Sequence, residues 1–301
     1  MKVGLQVPYF TWPGGPAALG ETFAGVAKRA EDAGFASFWV MDHFFQLPGL
    51  GAIDTDMLEG YSALSFAAAH TSRIKLGTMV TGVTYRHPGV LVKTATTLDV
   101  LSGGRAYLGI GAAWFEREHK GLGVPFPPLK ERFERLEDAL RIAKQMWSDD
   151  NGSFGGKHYQ LEETVCVPRP VSRPHPPILI GGRGEKKTMR FVAKYGDAVN
   201  IVGAQLNDDG VAFVGHLLDV IKGHCAREGT DYDRIEKTVL LTLMMRDEAE
   251  GRWQTPGQVL ETLRKLCDLG VDQPIFNMPD VDKPETLARV GEKIIAPISG
   301  W

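Results

Sequence analysis

The chain has 301 residues, of which 43% are hydrophobic and 9% aromatic, enough to bury one large core or two modest ones. Lysine and arginine total 34 against 37 aspartate and glutamate, so the net charge of −3 provides no general field for binding nucleic acid or an anionic membrane. The three cysteines, Cys166, Cys225 and Cys267, lie far apart without a C-x-x-C pair. This composition excludes a disordered chain and a disulfide scaffold, and it predicts reduced thiols in the cytoplasm and no thiolate metal site.

The N-terminal segment MKVGLQVPYF predicts a first strand and not a signal peptide, because it contains no apolar run of signal-peptide length. Elsewhere no 18 apolar residues follow one another without charge. We therefore expect a soluble, cytoplasmic protein that binds small molecules and neither enters a membrane nor binds nucleic acid.

Short hydrophobic runs alternate with amphipathic stretches along the chain, the pattern of successive strand–helix units. In the first half, the predicted strands cover residues 3–7, 38–41, 74–80 and 106–110, and the predicted helices cover 21–33, 61–70, 90–101 and 129–147. In the second half, the predicted strands cover 178–180, 198–202, 239–243 and 273–276, and the predicted helices cover 186–194, 211–227, 256–269 and 284–295.

Residues 149–176 interrupt this alternation, because they are rich in glycine, proline and charge and contain only one predicted hairpin, within 154–167. We interpret them as an insertion in a single domain covering residues 1–301. Eight strand–helix pairs predict a (β/α)₈ TIM barrel, since an open doubly wound sheet usually has fewer strands. In such barrels the functional groups follow the carboxyl ends of the strands.

Asp42 and His43 follow the second predicted strand, where a barrel carries its reactive groups. Histidine exchanges protons near neutral pH, and a neighbouring carboxylate can fix its position. We predict His43 as the catalytic acid or base and Asp42 as its positioning partner. The alternative is structural: Asp42 caps the loop and His43 fills a polar gap.

The loop after the third predicted strand is dense in hydrogen-bond donors. Thr81 and Arg86 are candidates for holding a cofactor, although Arg86 could equally pair with a carboxylate. For His87 the structural interpretation is favoured, in which it caps against Pro88 near the first turn of the helix predicted at 90–101.

The fourth strand is followed by Gly111, Ala112 and Ala113, whose small side chains would let a flat ligand approach the backbone. The segment is not a dinucleotide fingerprint, because Trp114 replaces the last glycine. Nearby, Glu116 and His119 have the spacing of one half of a di-metal site, but no second half exists. We therefore predict no metal site.

Glycine residues after the fifth strand indicate a phosphate site. Gly181, Gly182 and Arg183 precede a predicted helix, so unhindered backbone N–H groups and a cation meet at a helix N-terminus. The segment lacks the G-K-[ST] ending of a P-loop, and a tight strand-to-helix turn is the alternative. A phosphate site in a barrel without nucleophile motifs favours a phosphorylated, planar redox cofactor.

The sequence closely resembles the bacterial luciferase-like monooxygenase superfamily and, within it, the probable coenzyme F420-dependent oxidoreductases. The resemblance extends over nearly the whole chain and implies a barrel that is commonly dimeric and binds FMN or the deazaflavin F420 at its mouth. Six ordered blocks carry it: 41–44 (MDHF), 76–88 (LGTMVTGVTYRHP), 98–105 (LDVLSGGR), 108–116 (LGIGAAWFE), 177–182 (PILIGG) and 195–200 (YGDAVN).

The resemblance also assigns roles. It implies a cis peptide bond between Met79 and Val80 that bulges toward the flavin ring, and it places His43 near the reactive part of that ring. It implies that the remaining cofactor contacts come from Thr81, from the backbone of Gly111, Ala112 and Ala113, and, at the phosphate, from Gly181 and Gly182. One departure is Ala112, because some deazaflavin dehydrogenases of the family have a proton-handling glutamate there, which disfavours a sugar-phosphate dehydrogenase.

Three functions remain open from the sequence. The first is an F420-dependent oxidoreductase that transfers a hydride between the deazaflavin and a small organic substrate. The second is an FMN-dependent luciferase-like monooxygenase, and the third is a barrel that binds flavin without catalysis. The substrate and the direction of the reaction are not encoded in any motif of the chain.

Overall fold

The computed structural model describes residues 1–301 and contains a barrel of eight parallel strands surrounded by helices. Each strand pairs with the next one in the chain, and the last pairs with the first, so the sheet is closed. This confirms the predicted (β/α)₈ barrel. The strands are β1 Gly4–Val7, β2 Ser37–Val40, β3 Lys75–Thr78, β4 Ala106–Gly111, β5 Ile178–Gly182, β6 Ala198–Ile201, β7 Glu236–Thr242 and β8 Gln273–Asn277.

The helices follow the predicted order. They are α1 Gly15–Asp32, α2 Gly60–Ala69, α3 Pro88–Leu101, α4 Glu116–Leu122, α5 Leu129–Met146, α6 Thr188–Tyr195, α7 Asp208–Glu228, α8 Pro256–Asp268, α9 Pro284–Val290 and α10 Ala296–Ile298, with a π-helical turn at Gly291–Ile295. None of them combines the length and the apolar character needed to cross a membrane.

Helices α1 and α4 differ most from the prediction, and the three-residue α10 was not predicted either. Helix α1 begins at Gly15, six residues earlier than expected, because Pro16 is tolerated in a first helical turn, where its missing N–H group has no helical partner. Helix α4 was not predicted, because its seven residues are too few to show a hydrophobic period.

The core has two layers. The inner one, enclosed by the strands, is a small cluster of apolar side chains that shares the barrel interior with buried polar residues such as Asn200 and Thr238. The outer one lies between the strands and the helices, as expected for alternating strand residues. The inner cluster consists of Trp39, Met79, Leu179, Ala198 and Ile275.

The insertion lies along the outer helices. Phe154–Gly155 and Gln160–Leu161 form a short antiparallel hairpin. Asp99 of α3 accepts hydrogen bonds from the backbone N–H groups of Val171 and Ser172, at 2.7 and 2.9 Å. These contacts fasten the insertion to α3 on the outside of the barrel.

Candidate active site

The loops that follow β2, β3, β4 and β5 lie side by side, because these strands are consecutive neighbours in the barrel. The sequence placed every candidate cofactor and catalytic residue in these loops. The structure therefore gathers the predicted residues in one sector of the barrel mouth, although their contacts differ from the expected ones in several places.

The backbone after β3 turns at a cis peptide bond between Met79 and Val80, as the resemblance implied. Beyond it, the Val80 side chain extends over the neighbouring strands. A Cβ atom at Gly111 would lie 2.9 Å from Val80 Cγ2, and one at Gly181 would lie 2.7 Å from Val80 Cγ1. These glycines therefore make room for Val80, whereas the sequence interpretation gave the space at Gly111 to the ligand. The Val80 side chain itself stays partly exposed.

The hydroxyl group of Thr81 points into the protein. It lies 2.8 Å from the Tyr61 hydroxyl and 2.7 Å from the Thr78 hydroxyl, and all three side chains are buried. Burial, followed by the negative charge of Asp42, raises the pKa of Tyr61 to about 12, so its hydroxyl stays protonated. Thr81 thus anchors the segment after the cis bond, and only its backbone is left to border a cofactor.

Asp42 does not hold His43, contrary to the prediction. Both of its carboxylate oxygens accept hydrogen bonds from Arg86, at 2.7 and 2.9 Å, and Arg86 also pairs with Glu59. Burial raises the pKa of the Asp42 carboxyl, and the charge and hydrogen bonds of Arg86 oppose this shift. The pair joins the loops after β2 and β3. Arg86 is therefore engaged by two carboxylates of the protein itself.

The partner of His43 is Glu118 of α4, whose side chain is completely buried. The His43 Nδ1 atom lies 3.1 Å from Glu118 Oε2. Glu118 also accepts hydrogen bonds from the backbone N–H groups of Phe44 and Phe45 and from the Tyr85 hydroxyl. Burial alone would raise the pKa of Glu118, but the hydrogen bonds from His43, Tyr85 and the backbone lower it below its usual value. Glu118 is therefore ionised at neutral pH.

The other ring nitrogen of His43, Nε2, bonds to no group of the chain and retains access to solvent. The edges of two aromatic rings flank the imidazole, with centroid distances of 5.8 Å to Trp114 and 5.9 Å to Phe115. Trp114 is 60% exposed, which is unusual for the largest apolar side chain. His43 thus presents one free nitrogen beside an aromatic wall.

The sequence missed Glu118 because the short helix α4 was not expected. It considered Glu116 and His119 instead, which have unrelated contacts. Glu116 pairs with Lys120 on the surface at 2.8 Å, whereas the buried His119 lies 2.6 Å from the Thr84 hydroxyl. These two side chains therefore do not converge.

The backbone of Ala112 and Ala113 is held by Arg132 of α5. Its Nη1 atom donates to the carbonyl of Ala112 at 3.3 Å and to that of Ala113, and its guanidinium lies 4.2 Å from the centre of the Phe126 ring. Ala113 has a positive φ of 58°, which is uncommon for a residue with a side chain. Arg132 therefore fixes the loop that carries Trp114.

The end of β5 leads to an exposed cation. Gly182 has a φ of +143°, and a Cβ atom there would lie 3.1 Å from Thr188 at the start of α6. Arg183 is exposed, and its Nη1 atom would lie 3.0 Å from a Cβ atom at Gly203, so its guanidinium extends toward the end of β6. Lys187, in contrast, lies over the Phe133 ring. Arg183 is thus available to an anion beside Gly182.

A cavity of about 570 Å³ adjoins this region, between the loops after β6 and β7. Its lining includes Gln205, Thr242 and Arg252. Thr242 ends β7, so the cavity lies at the carboxyl end of the barrel, where ligands of such barrels bind.

Residues 1–273 match the family model of the luciferase-like monooxygenases. The chain belongs to the luciferase-like monooxygenase family. This confirms the resemblance found in the sequence, and it covers all the loops of the candidate site. His87 also takes its expected role in this family member, because its Nδ1 atom caps α3 by accepting a hydrogen bond from Gly89 N at 3.3 Å.

Two curated relatives are similar over most of the chain, and both are named F420-dependent glucose-6-phosphate dehydrogenase. The one from Kineococcus radiotolerans is 29% identical over 90% of this chain and 75% of its own length. The one from Nakamurella multipartita is 27% identical over 93% of this chain and 92% of its own length.

Among solved structures, the coenzyme F420 dependent tetrahydromethanopterin reductase from Methanopyrus kandleri superimposes with a TM-score of 0.81. The superposition covers 98% of this chain and 99% of that one, at 17% sequence identity. At this identity, the likeness establishes that the two proteins share the fold.

Proposed function

We propose that this protein is an F420-dependent oxidoreductase that transfers a hydride between the deazaflavin and a small organic substrate. One observation carries the proposal. A partly exposed Val80 and His43, whose Nε2 atom bonds to no group of the chain, lie in neighbouring loops. The two relatives named as F420-dependent enzymes support this choice of cofactor, because they align with 90% and 93% of the chain.

The residues at the mouth fit a flat ring with a phosphorylated tail. Val80 offers an aliphatic surface against which a planar ring can pack. Gly111 and Gly181 leave room for the Val80 side chain because they have no Cβ atom. Gly182 and Arg183 offer unhindered backbone and a free cation for a phosphate. When bound, F420 would supply the carbon that accepts or releases the hydride.

The chain itself supplies proton transfer and orientation. His43 exchanges a proton with the substrate at Nε2, and Trp114 and Phe115 confine the substrate beside it. Asp42, predicted as catalytic, acts through Arg86 by holding the loops in place. Ala112 provides no acidic group next to the ring, so we do not extend the glucose 6-phosphate specificity of the relatives to this chain.

An FMN-dependent monooxygenase is the second candidate, favoured by the family to which the chain belongs. Titration of the purified protein with F420 and with FMN, followed by cofactor fluorescence, separates the two. We expect saturable binding of F420 and at least tenfold weaker binding of FMN. Tight FMN binding with oxygen consumption would favour the monooxygenase, and binding of neither cofactor would overturn the proposal.

We also propose that the protein forms a homodimer through α2 and α3. The exposed side chains of both helices form an uncharged face, except for Lys93, which donates to the carbonyl of Val167. Phe66 and Leu101 are 43% and 72% exposed on this face, and such apolar surface is typical of subunit contacts. Light scattering on wild type and Phe66→Asp tests this: the wild type should be dimeric and the variant monomeric, and a monomeric wild type would contradict it.

A further inference from the structure

Glu118 collects hydrogen bonds from two separate segments of the site, the loop after β2 and the loop after β3. His43, the backbone of Phe44 and Phe45, and Tyr85 all contact its two carboxylate oxygens, and none of its surface is exposed. A buried carboxylate needs such donors to remain ionised. The arrangement therefore places a fixed negative charge on the Nδ1 side of the imidazole.

This charge determines where the proton of the neutral imidazole lies. An ionised carboxylate can only accept hydrogen bonds, so the Nδ1 atom of His43, 3.1 Å from Glu118 Oε2, must carry the hydrogen. Nε2 then has a free lone pair, and it is the nitrogen that is open to solvent. The imidazole is thus held in the tautomer that can accept a proton from the mouth.

No other charged group near the ring competes for this role. Asp42 is occupied by Arg86, His119 is bonded to Thr84, and Arg132 is bonded to the backbone carbonyls of the loop after β4. The Tyr85 hydroxyl donates to Glu118, and burial, followed by its bond to that carboxylate, raises the pKa of Tyr85 well above its usual value. Glu118 is therefore the only carboxylate that contacts His43.

We propose that Glu118 is the positioning residue of the reaction, which orients His43 and sets its tautomer so that Nε2 acts as the proton acceptor. It would also stabilise the imidazolium that forms. Ala112 provides no carboxylate beside the cofactor ring. Glu118 of α4 provides one instead, in contact with His43. The identity of the reaction, although not the tautomer, rests on the function proposed above.

In the oxidising direction, the substrate alcohol loses the proton of its hydroxyl group to His43 Nε2 and a hydride from its carbon to the cofactor. It leaves as a carbonyl compound. The two electrons of the broken C–H bond reduce the cofactor. The reverse reaction returns the proton from Nε2 to the carbonyl oxygen.

The test uses ¹⁵N NMR of the full-length, cofactor-free protein labelled at histidine, with the His43 signals assigned by their loss in His43→Gln. At mildly alkaline pH we expect wild-type His43 to carry its hydrogen on Nδ1. In Glu118→Gln, the amide can still accept from the backbone N–H groups while its NH₂ group faces Nδ1, so the hydrogen should move to Nε2. A wild-type His43 protonated at Nε2 would overturn the proposal whether or not the variant folds.

The kinetic test uses F420 and a substrate identified with the wild type. Glu118→Gln should lower kcat by about 10²- to 10⁴-fold with little change in KM, as expected for a base held in the wrong tautomer. Glu116→Gln, on the exposed side of the same helix, is the matched control and should change neither the tautomer nor kcat. An unchanged kcat in a folded Glu118→Gln would overturn the proposal, whereas failure of F420 binding with the Nδ1–H tautomer intact would count only against the proposed function.

Discussion

The Val80 side chain occupies the space that a side chain at Gly181 would need, since a Cβ atom there would lie 2.7 Å from Val80 Cγ1. Gly181 belongs to β5 and Val80 follows β3, so the contact extends across the end of β4 between them. The candidate site for the cofactor ring is formed at Val80. Its shape therefore depends on Gly181, a residue without a side chain that lies two strands away.

Gly181→Ala should push Val80 toward the mouth. Overpacking of this kind costs about 1–3 kcal/mol, and we expect it to weaken F420 binding by at least tenfold. Urea unfolding and fluorescence titration measure the two effects. Adding Val80→Ala should restore most of the stability, and Gly257→Ala, whose added methyl group meets only Thr255 Oγ1 at 3.9 Å, is the control. Equal affinity in wild type and Gly181→Ala would show that Val80 does not form the cofactor surface.

Arg86→Met should destabilise the protein strongly, because it leaves the completely buried Asp42 carboxylate without its partner. Breaking such a pair costs about 3–5 kcal/mol, whereas removing both charges costs much less. In a double-mutant cycle measured by urea unfolding, Arg86→Met combined with Asp42→Asn should therefore be more stable than Arg86→Met alone. Additive losses would contradict this interpretation of the pair.

Glu31 should make stability depend on acidic pH. It accepts hydrogen bonds from the backbone N–H groups of Ser72, Arg73 and Ile74, at 2.6 to 2.9 Å. Burial would raise the pKa of its carboxyl, but these bonds outweigh burial and lower the pKa from 4.5 to about 2. The native state thus favours the ionised form, which contributes about 3 kcal/mol above pH 4.5 that is lost as the pH falls toward 2.

Glu31→Gln tests this by urea unfolding at several pH values. The variant should be less stable than wild type at neutral pH, and the difference should shrink as the pH falls below 4.5. Glu163→Gln, which replaces an exposed carboxylate, should show almost no difference at any pH. A difference for Glu31→Gln that stays constant down to acid pH would contradict the assignment.

His43→Ala should retain F420 binding but lower turnover about 10²- to 10⁴-fold, the usual contribution of a general acid or base. The ring makes no hydrogen bond other than that to Glu118, so the loss of stability should be modest. Steady-state kinetics with any substrate accepted by wild type measures the effect. Unchanged turnover would show that the proton passes through another group.

The sequence predicted the barrel, because strand–helix alternation is a local pattern. It also placed His43, Val80, Gly111 and Gly181 at strand ends that the closed barrel brings into one sector of its mouth. It could not predict which side chains meet, since Asp42 and Arg86, or His43 and Glu118, lie on different loops whose approach depends on the closed barrel. The choice of Asp42 as the partner of His43 followed from their adjacency, yet neighbouring residues at a strand end point in different directions.

A crystal structure of the protein with F420 tests the proposed function most directly. We expect the deazaflavin ring in contact with Val80, its reactive face toward the side of the mouth where His43 Nε2 lies, and the tail phosphate beside Gly182 and Arg183. A ring bound away from Val80, or with His43 on the far side of the barrel from its reactive carbon, would contradict the proposed function.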